Sequence, residues 1–348
     1  MLKFRMKKQR KLRRFRTQSP TSTRIARAQR IKDRPNWAVF FCLKFLFNRP
    51  MDNGDDLLVD SDDFKWREDD LRLPFSDRGL AYGHGVFESM LYSDGRIALE
   101  DLHLDRLIIG AQRLGISVSR TKVVLSLNSF CARLVLEQRD SCVIKLILTA
   151  GSGGRGYINP DEMNPRLIVI DSPTPDDLDE QRTAGISLWR CSSQLSVNPQ
   201  LAGIKHLNRL EQVLARNELH RQDCSDGLMF DYSGCLIETT SANVFVKTRS
   251  AGWITPSLLN AGVAGVMRSI MINTLFPSLN IALEVRSVHE TEVAEIEEIF
   301  VCNSIRGILP VNGVASRDDV MVNYAIGSVT RDLQTMLCRL YPCFALIS

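Results

Sequence analysis

Lysine is scarce in the body of this 348-residue chain: beyond residue 50 there are five, Lys65, Lys122, Lys145, Lys205 and Lys247, against 23 arginines. An amine that performs covalent chemistry therefore has few candidates. None of the nine cysteines stands at C-x-x-C spacing from another, and the five histidines form no metal-ligand spacing with each other or with cysteine. No bound metal is expected, and scattered thiols, odd in number and mostly in apolar runs, favour reduced, buried cysteines over a disulfide framework. Long hydrophobic runs are missing too. The stretch WAVFFCLKFLF over residues 37–47 is interrupted by Lys44, and a helix needs about 20 apolar residues to cross a bilayer, so no membrane association is expected.

Acid is nearly absent from the first fifty residues, where sixteen Lys/Arg meet one acid, Asp33; the rest carries 28 basic against 39 acidic side chains. The overall charge of +4 thus hides an acidic body behind a basic tail. Such a body lacks the basic face that displaces counterions from phosphates, so nucleic acid is not an expected partner. The tail has three readings: a dispensable stretch preceding a start at Met51, a targeting peptide rich in Arg, Ser and Thr, or a nucleic-acid arm. The first is preferred, with a cytoplasmic protein as the expectation.

Mixed elements follow from about residue 72. Residues 77–99 read as short strands around glycine turns, with Ser93-Asp94-Gly95 closing a hairpin. Leu104, Leu107, Ile108, Ala111 and Leu114 stand at helical spacing before Gly115, and a second amphipathic helix is expected over 122–137. The segment 171–185 is polar, contains proline and lacks periodicity, which marks it as a linker. Beyond it, ISLWRCS, GLMFDYSG, ANVFVKT, LEVRSV and EIFVCN read as strands, and helices are expected at 206–221, 263–277 and 320–340. Strands mixed with helices in both halves indicate an α/β (α+β) fold. The expected domains are a basic, disordered extension (1–55), a smaller α/β domain (56–170), the linker (171–185) and a larger α/β domain (186–348).

Gly151, Gly153 and Gly156 in LILTAGSGGRGYINP have G-x-G-x-x-G spacing after a strand-like run. A dinucleotide site requires a helix after the turn, whose free amides receive the pyrophosphate. Asn159-Pro160 and Asn164-Pro165 lead instead into RLIVID, a second strand, so the loop is a long hairpin connection.

Three further features bear on chemistry. Lys205, in LAGIKHLNRLEQVLARNE, stands where a loop becomes a helix; by position alone a solvated charge is the commoner outcome there than a catalytic amine. Gly262 and Gly265 in NAGVAGVMRSI precede a helix without a Ser/Asp cap, leaving amides for an anion or else a simple flexible turn. Glu238 in CLIETTSANVF ends a strand ahead of three hydroxyl residues, and ordinary solvation is its commoner reading.

The segments DRGLAYGHGVFE, HLDRL, GSGGRGY, LAGIKHLNRLEQVLARNE, IETTSANVF, AGVAGVMR and CNSIRGILPV, in that order, resemble those of the fold-type IV pyridoxal-phosphate enzymes, the D-amino-acid aminotransferase-like group. GSGGRGY with KHLNRLEQ is similar to the aminodeoxychorismate lyases in particular, over roughly residues 72–315. The resemblance implies a two-domain fold-type IV enzyme with pyridoxal 5′-phosphate as cofactor. Lys205 would be its covalent anchor and the catalytic residue, and Glu238 would face the pyridine nitrogen. Arg106 would pair with the phosphate, helped by the amides of Val266 and Met267 and the Ser304 hydroxyl. Arg155 would grip a substrate carboxylate, and Tyr157 would line the same pocket. A homodimer is implied, as is a small-molecule substrate, 4-amino-4-deoxychorismate, converted to p-aminobenzoate and pyruvate for folate synthesis. The rival is an aminotransferase of the same fold for D-amino or branched-chain amino acids; the D-amino-acid type tends to carry a histidine two residues after the arginine, where this chain has Tyr157. This sequence departs from the family at His84, where Asp is common, and at Thr239 and Thr240, which replace a Gly-Ser pair.

Overall fold

Val86, Glu88, Met90 and Tyr92 are buried along one face of β1 (Gly85–Ser93), the period of two that a half-covered strand requires. The computed structural model describes residues 73–219, 222–317 and 320–345, which fall within a unit spanning Leu58–Ser348. The basic extension 1–55 and residues 56–72, where the first domain was expected to open, lie outside the described residues.

Ahead of β1, a helical turn α1 (Arg78–Tyr82) replaces the strand expected there. Asp77 caps it by accepting from the Gly79 N–H, and Gly83 ends it at φ 65°, so both terminal requirements of a short helix are met locally. β1 turns through Asp94 and Gly95, at φ 51° and 81°, into β2 (Arg96–Ile97); positive φ at both positions is what a two-residue hairpin needs. The two expected helices are α2 (Glu100–Arg113) and α3 (Arg120–Leu136). β3 (Ser141–Thr149) and β4 (Arg166–Ser172) complete an antiparallel sheet of order β2-β1-β3-β4. Leu104, Leu107, Leu127 and Phe130 of the helices pack on Val86, Met90, Ile144 and Leu146 of the sheet.

The segment between the sheets is not devoid of structure: α4 (Leu178–Ala184) lies in it, with Arg182 buried. A second, ten-stranded sheet follows. Its strands are β5 (Ile186–Arg190), β6 (Asp226–Phe230), β7 (Cys235–Thr239), β8 (Asn243–Thr248), β9 (Gly252–Pro256), β10 (Leu283–Arg286), β11 (Val288–His289), β12 (Ile296–Asn303), β13 (Gly307–Ala315) and β14 (Met321–Asn323). The order is β10-β9-β8-β12-β13-β5-β6-β7-β11, with β14 on β13. One further pairing, Glu238 with Asn243, joins β7 to β8 and closes β8-β12-β13-β5-β6-β7 into a barrel. Its strands carry near-continuous apolar runs because both faces are covered. Leu188, Leu228, Val244, Val246, Ile299 and Val311 fill one side. Phe245, Phe300, Trp253 and Phe276 stack on the other, beneath α6 (Val266–Ile270), which runs on through a π-turn (Met271–Leu275) to Ser278, and α7 (Ser328–Leu340).

Two expected helices are shorter in the structure. α5 covers Leu210–Glu218, because His206 pairs with Val86 as an isolated bridge and holds the preceding residues extended. The helix expected from 320 begins at Ser328, since Met321–Asn323 pair with Gly313–Ala315, the end of β13 beyond its pairing with β12. No helix among the described residues is long and apolar enough to cross a membrane.

Candidate active site

Lys205 lies ahead of α5 in extended chain, not at its first turn. The Phe87 N–H donates to its carbonyl at 3.0 Å, and the Leu207 N–H donates to Gly85 at 3.0 Å. The lysine backbone is thus stitched to the start of β1, a rigid element of the other sheet. Its Nζ stands 4.3 Å from the Phe87 ring centroid and pairs with no described carboxylate. Burial pulls its pKa down to about 8, reinforced by Arg106 and Arg209 and opposed by Glu88 and Glu238. Those four charges converge on this amine.

Glu238 is buried at the barrel's closing pair. Burial pushes its pKa up to about 7, against the lowering effect of a hydrogen bond from Val263 and of the Arg209 and Lys205 charges. The Val263 N–H donates to its Oε2 at 2.8 Å, while the Val263 carbonyl accepts from Asn243 Nδ2 at 2.9 Å. The two closing residues thereby hold both sides of one residue and set how the chain enters α6. Gly265 caps that helix with no side-chain hydrogen bond, so the buried Val266 and Met267 begin it with amides that have no intrahelical partner. A Cβ on Gly265 would clash with Asn243 Oδ1, which is why glycine is needed there.

Arg106 reaches the same place from α2. It donates to the Ala264 carbonyl at 3.1 Å and to both oxygens of Glu88, from Nε at 2.7 Å and from Nη2. His103 Nδ1 lies 2.6 Å from the second of those oxygens. Burial alone would raise the Glu88 pKa; Arg106, then His103, outweigh it and hold the carboxyl at about 2. Ser304, in the β12–β13 turn, donates to the Ser89 carbonyl at 3.2 Å, next to Glu88. Lys205, Arg106, Glu238 and the α6 start therefore gather around one space, with Ser304 engaged on the neighbouring strand.

Arg155 and Tyr157 lie elsewhere in the chain. Both are exposed in the loop joining β3 to β4. Tyr157 packs on Tyr82 at 5.4 Å between ring centroids, beside a cleft of 260 Å³ whose lining includes neither Lys205 nor Glu238. Arg155 has no partner among the described residues.

Glu88, His103 and Arg209 were not singled out from the sequence. Arg209 donates to the His206 carbonyl at 2.9 Å and acts electrostatically on both Lys205 and Glu238. The one available signal for Glu88 was an acid on the apolar face of an alternating strand. The hydroxyls after Glu238 are occupied: Thr239 and Ser241 donate to Asp226 at 2.8 and 2.7 Å, and Thr240 donates to it as well. The departure at 239 and 240 thus builds a clasp for the β7–β8 turn.

These groups fit pyridoxal 5′-phosphate. An amine with a lowered pKa suits the aldehyde, a buried carboxyl near its titration point suits the ring nitrogen, and uncapped buried amides with Arg106 suit the phosphate. A family model, amino-transferase class IV, matches residues 85–314. An aminodeoxychorismate lyase from Vibrio harveyi is 31% identical over 263 residues, covering 75% of this chain and 94% of that protein. A D-alanine aminotransferase from Bacillus licheniformis is 24% identical over 76% of this chain and 90% of its own length. The crystal structure of 4-amino-4-deoxychorismate lyase from Pseudomonas aeruginosa matches at a TM-score of 0.71 and 37% identity, covering 77% of this chain and 95% of that one. The branched-chain amino acid aminotransferase of Escherichia coli, at 21% identity and TM-score 0.66 over 79% and 90% of the two chains, shares the fold. The converging groups around Lys205 and these similarities together place the chain in the amino-transferase class IV family, as an enzyme that works with pyridoxal 5′-phosphate.

Proposed function

We propose that the chain is an aminodeoxychorismate lyase, eliminating pyruvate from 4-amino-4-deoxychorismate to leave p-aminobenzoate. The observation that carries this is Lys205: a half-buried amine that pairs with no carboxylate among the described residues, its pKa near 8, with Arg106 and Glu238 close enough to shift it. Similarity to lyases at 31% and 37% identity supports the choice of reaction, as does Tyr157 two residues after Arg155. Bound by Lys205, Glu238, Arg106 and the α6 amides, pyridoxal phosphate supplies an electron sink for the carbon that bears the substrate's amino group.

Lys205 Nζ acts as the base. A pKa near 8 leaves a useful fraction of its amine neutral at pH 7, so it takes the proton from the carbon bearing the substrate amino group. Glu238 keeps a proton in place at the ring nitrogen; its carboxyl, near its titration point, can share one. Arg155, exposed and unpaired, holds a substrate carboxylate by two parallel hydrogen bonds. The C–O bond on the adjacent carbon then breaks, the electron pair left behind by the proton makes the ring aromatic, and the departing enolpyruvate takes up a proton to become pyruvate; gain of the aromatic ring drives the reaction. We place this chemistry in a cytoplasmic homodimer, with the site near the interface where the exposed Arg155 arm can meet a substrate.

The test is product analysis. Purified protein supplied with 4-amino-4-deoxychorismate should release p-aminobenzoate and pyruvate in equal amounts, and Lys205→Ala should lose this by about 10⁴-fold or more. Transamination of D-alanine or a branched-chain amino acid with 2-oxoglutarate that outpaces p-aminobenzoate release would overturn the assignment.

A further inference from the structure

Arg78 is 3% exposed and makes no ion pair with a described carboxylate. Its neighbour Asp77 is committed to Arg166 at 2.8 Å, to the Thr149 hydroxyl and to the Gly79 N–H. The Arg78 guanidinium lies instead inside the glycine-rich loop. Its Nη1 donates to the carbonyls of Gly153, Gly156 and Ile158 at 3.4, 3.1 and 3.3 Å. Its Nη2 donates to the carbonyl of Tyr157 at 3.2 Å and to Asn159 Oδ1 at 3.3 Å. The Arg78 backbone N–H donates to Gly151 at 2.8 Å, and its guanidinium carbon stands 5.1 Å from the Tyr82 ring on which Tyr157 packs.

Four carbonyls converging on one planar cation turn the loop's oxygens inward. Gly153, Gly154 and Gly156 reach this with φ of 131°, 73° and 63°, values that side chains disfavour. On the outside stands Arg155, unpaired. The Arg78 Nε donates to His84 Nδ1 at 3.2 Å, and the His84 Nε2–H donates to the Leu114 carbonyl at 2.9 Å. His84 thus accepts from Arg78 in this arrangement and brings no carboxylate to it, leaving the Arg78 charge uncancelled.

We propose that Arg78 is a positioning residue for substrate binding: it holds the backbone of residues 153–159 so that Arg155 is presented, already ordered, to a dicarboxylate substrate, and its own charge adds to the attraction. This rests on reading Arg155 as the carboxylate-gripping arm. Ordering the arm in advance removes an entropy cost from binding.

The experiment compares full-length, cofactor-loaded wild type with Arg78→Lys, Arg78→Met and Arg155→Met by amide hydrogen exchange over residues 151–160 and by steady-state kinetics. Arg78→Lys keeps the charge and most of the bulk should the methionine variant fail to fold. In both Arg78 variants exchange should accelerate and KM should rise, each about tenfold, with kcat within about twofold and the cofactor absorbance unchanged. Arg155→Met should raise KM without touching exchange. Unchanged exchange or unchanged KM in Arg78→Lys overturns the positioning role. Unchanged KM in Arg155→Met alone removes the arm assignment, and a raised KM in Arg78→Lys beside it still supports a loop that Arg78 orders for binding.

Discussion

The reactivity assigned to Lys205 comes from withdrawal from water and from what surrounds it. Arg106 and Arg209 push its proton off, Glu88 and Glu238 pull the other way, and burial decides the balance. Of the two acids Glu88 acts the more strongly, even with Arg106 engaging both its oxygens. A folded-state pKa of about 8, below the ordinary 10.5, means that the unfolded chain binds more protons between those values. The Lys205 contribution to stability of the cofactor-free protein should therefore rise with pH across that window, while the buried thiols Cys142, Cys191 and Cys302, whose pKa values burial raises, contribute in the opposite sense; the difference between wild type and Lys205→Met isolates it. The same depression governs reactivity: the rate of pyridoxal phosphate uptake by cofactor-free protein should climb with pH and level off above about 8, not above 10.5. Stopped-flow absorbance follows this directly; a rate still rising at pH 10 would contradict it. The scarcity of lysine shortened the list that held Lys205, and glycines ahead of a helix without a Ser/Asp cap marked the start of α6, whereas Glu238 and Arg106 took their roles from the resemblance. Glu88 left only the trace of an acid on the apolar face of a strand, and Arg209 left none, because an arginine before a helix is not distinguished until its neighbours in space are known.

At the scale of elements, the entry to α6 is set by the closing pair of the barrel. Glu238 and Asn243 hold Val263 from both sides, and Gly265 allows the helix to start against Asn243. Gly265→Ala should force these apart, lowering stability by about 1–3 kcal/mol, as overpacking typically does. It should also weaken pyridoxal phosphate binding about tenfold or more, because the amides of Val266 and Met267 shift away from the phosphate. Thermal unfolding and a fluorescence titration measure the two effects; unchanged cofactor affinity would remove the anion role of this helix start. Periodicity located α2 and α3 closely and found most strands of the second sheet. It overran the starts of α5 and α7, because His206 and Met321–Asn323 are extended by pairing with distant strands, a constraint with no local trace. The turn at α1 was missed for a different reason: its Asp77 cap and Gly83 stop were present in the chain but were read as strand punctuation.

At the scale of the molecule, β1 supports Lys205 while the barrel supports Glu238, so the site exists only where the first sheet meets the second. The unit containing both spans Leu58–Ser348, and the basic residues are concentrated before it. A chain starting at Leu58 should keep its melting temperature within about 3 °C and its turnover within about twofold. Calorimetry and the p-aminobenzoate assay check this, and a loss of turnover would give the extension a part in the enzyme.

Order along the chain already contained the mixed α/β character, the hairpin nature of the glycine loop and the short list of lysines that held Lys205, because helix and strand periods, turn residues and residue types are local properties; the roles of Lys205, Glu238 and Arg106 came from the resemblance of whole segments to the fold-type IV enzymes. Closure of the barrel, the convergence of charges on one amine, and the wrapping of residues 153–159 around Arg78 had to await the folded chain. Contacts between residues far apart in sequence depend on how two sheets pack, and spacing along the chain carries no such distance.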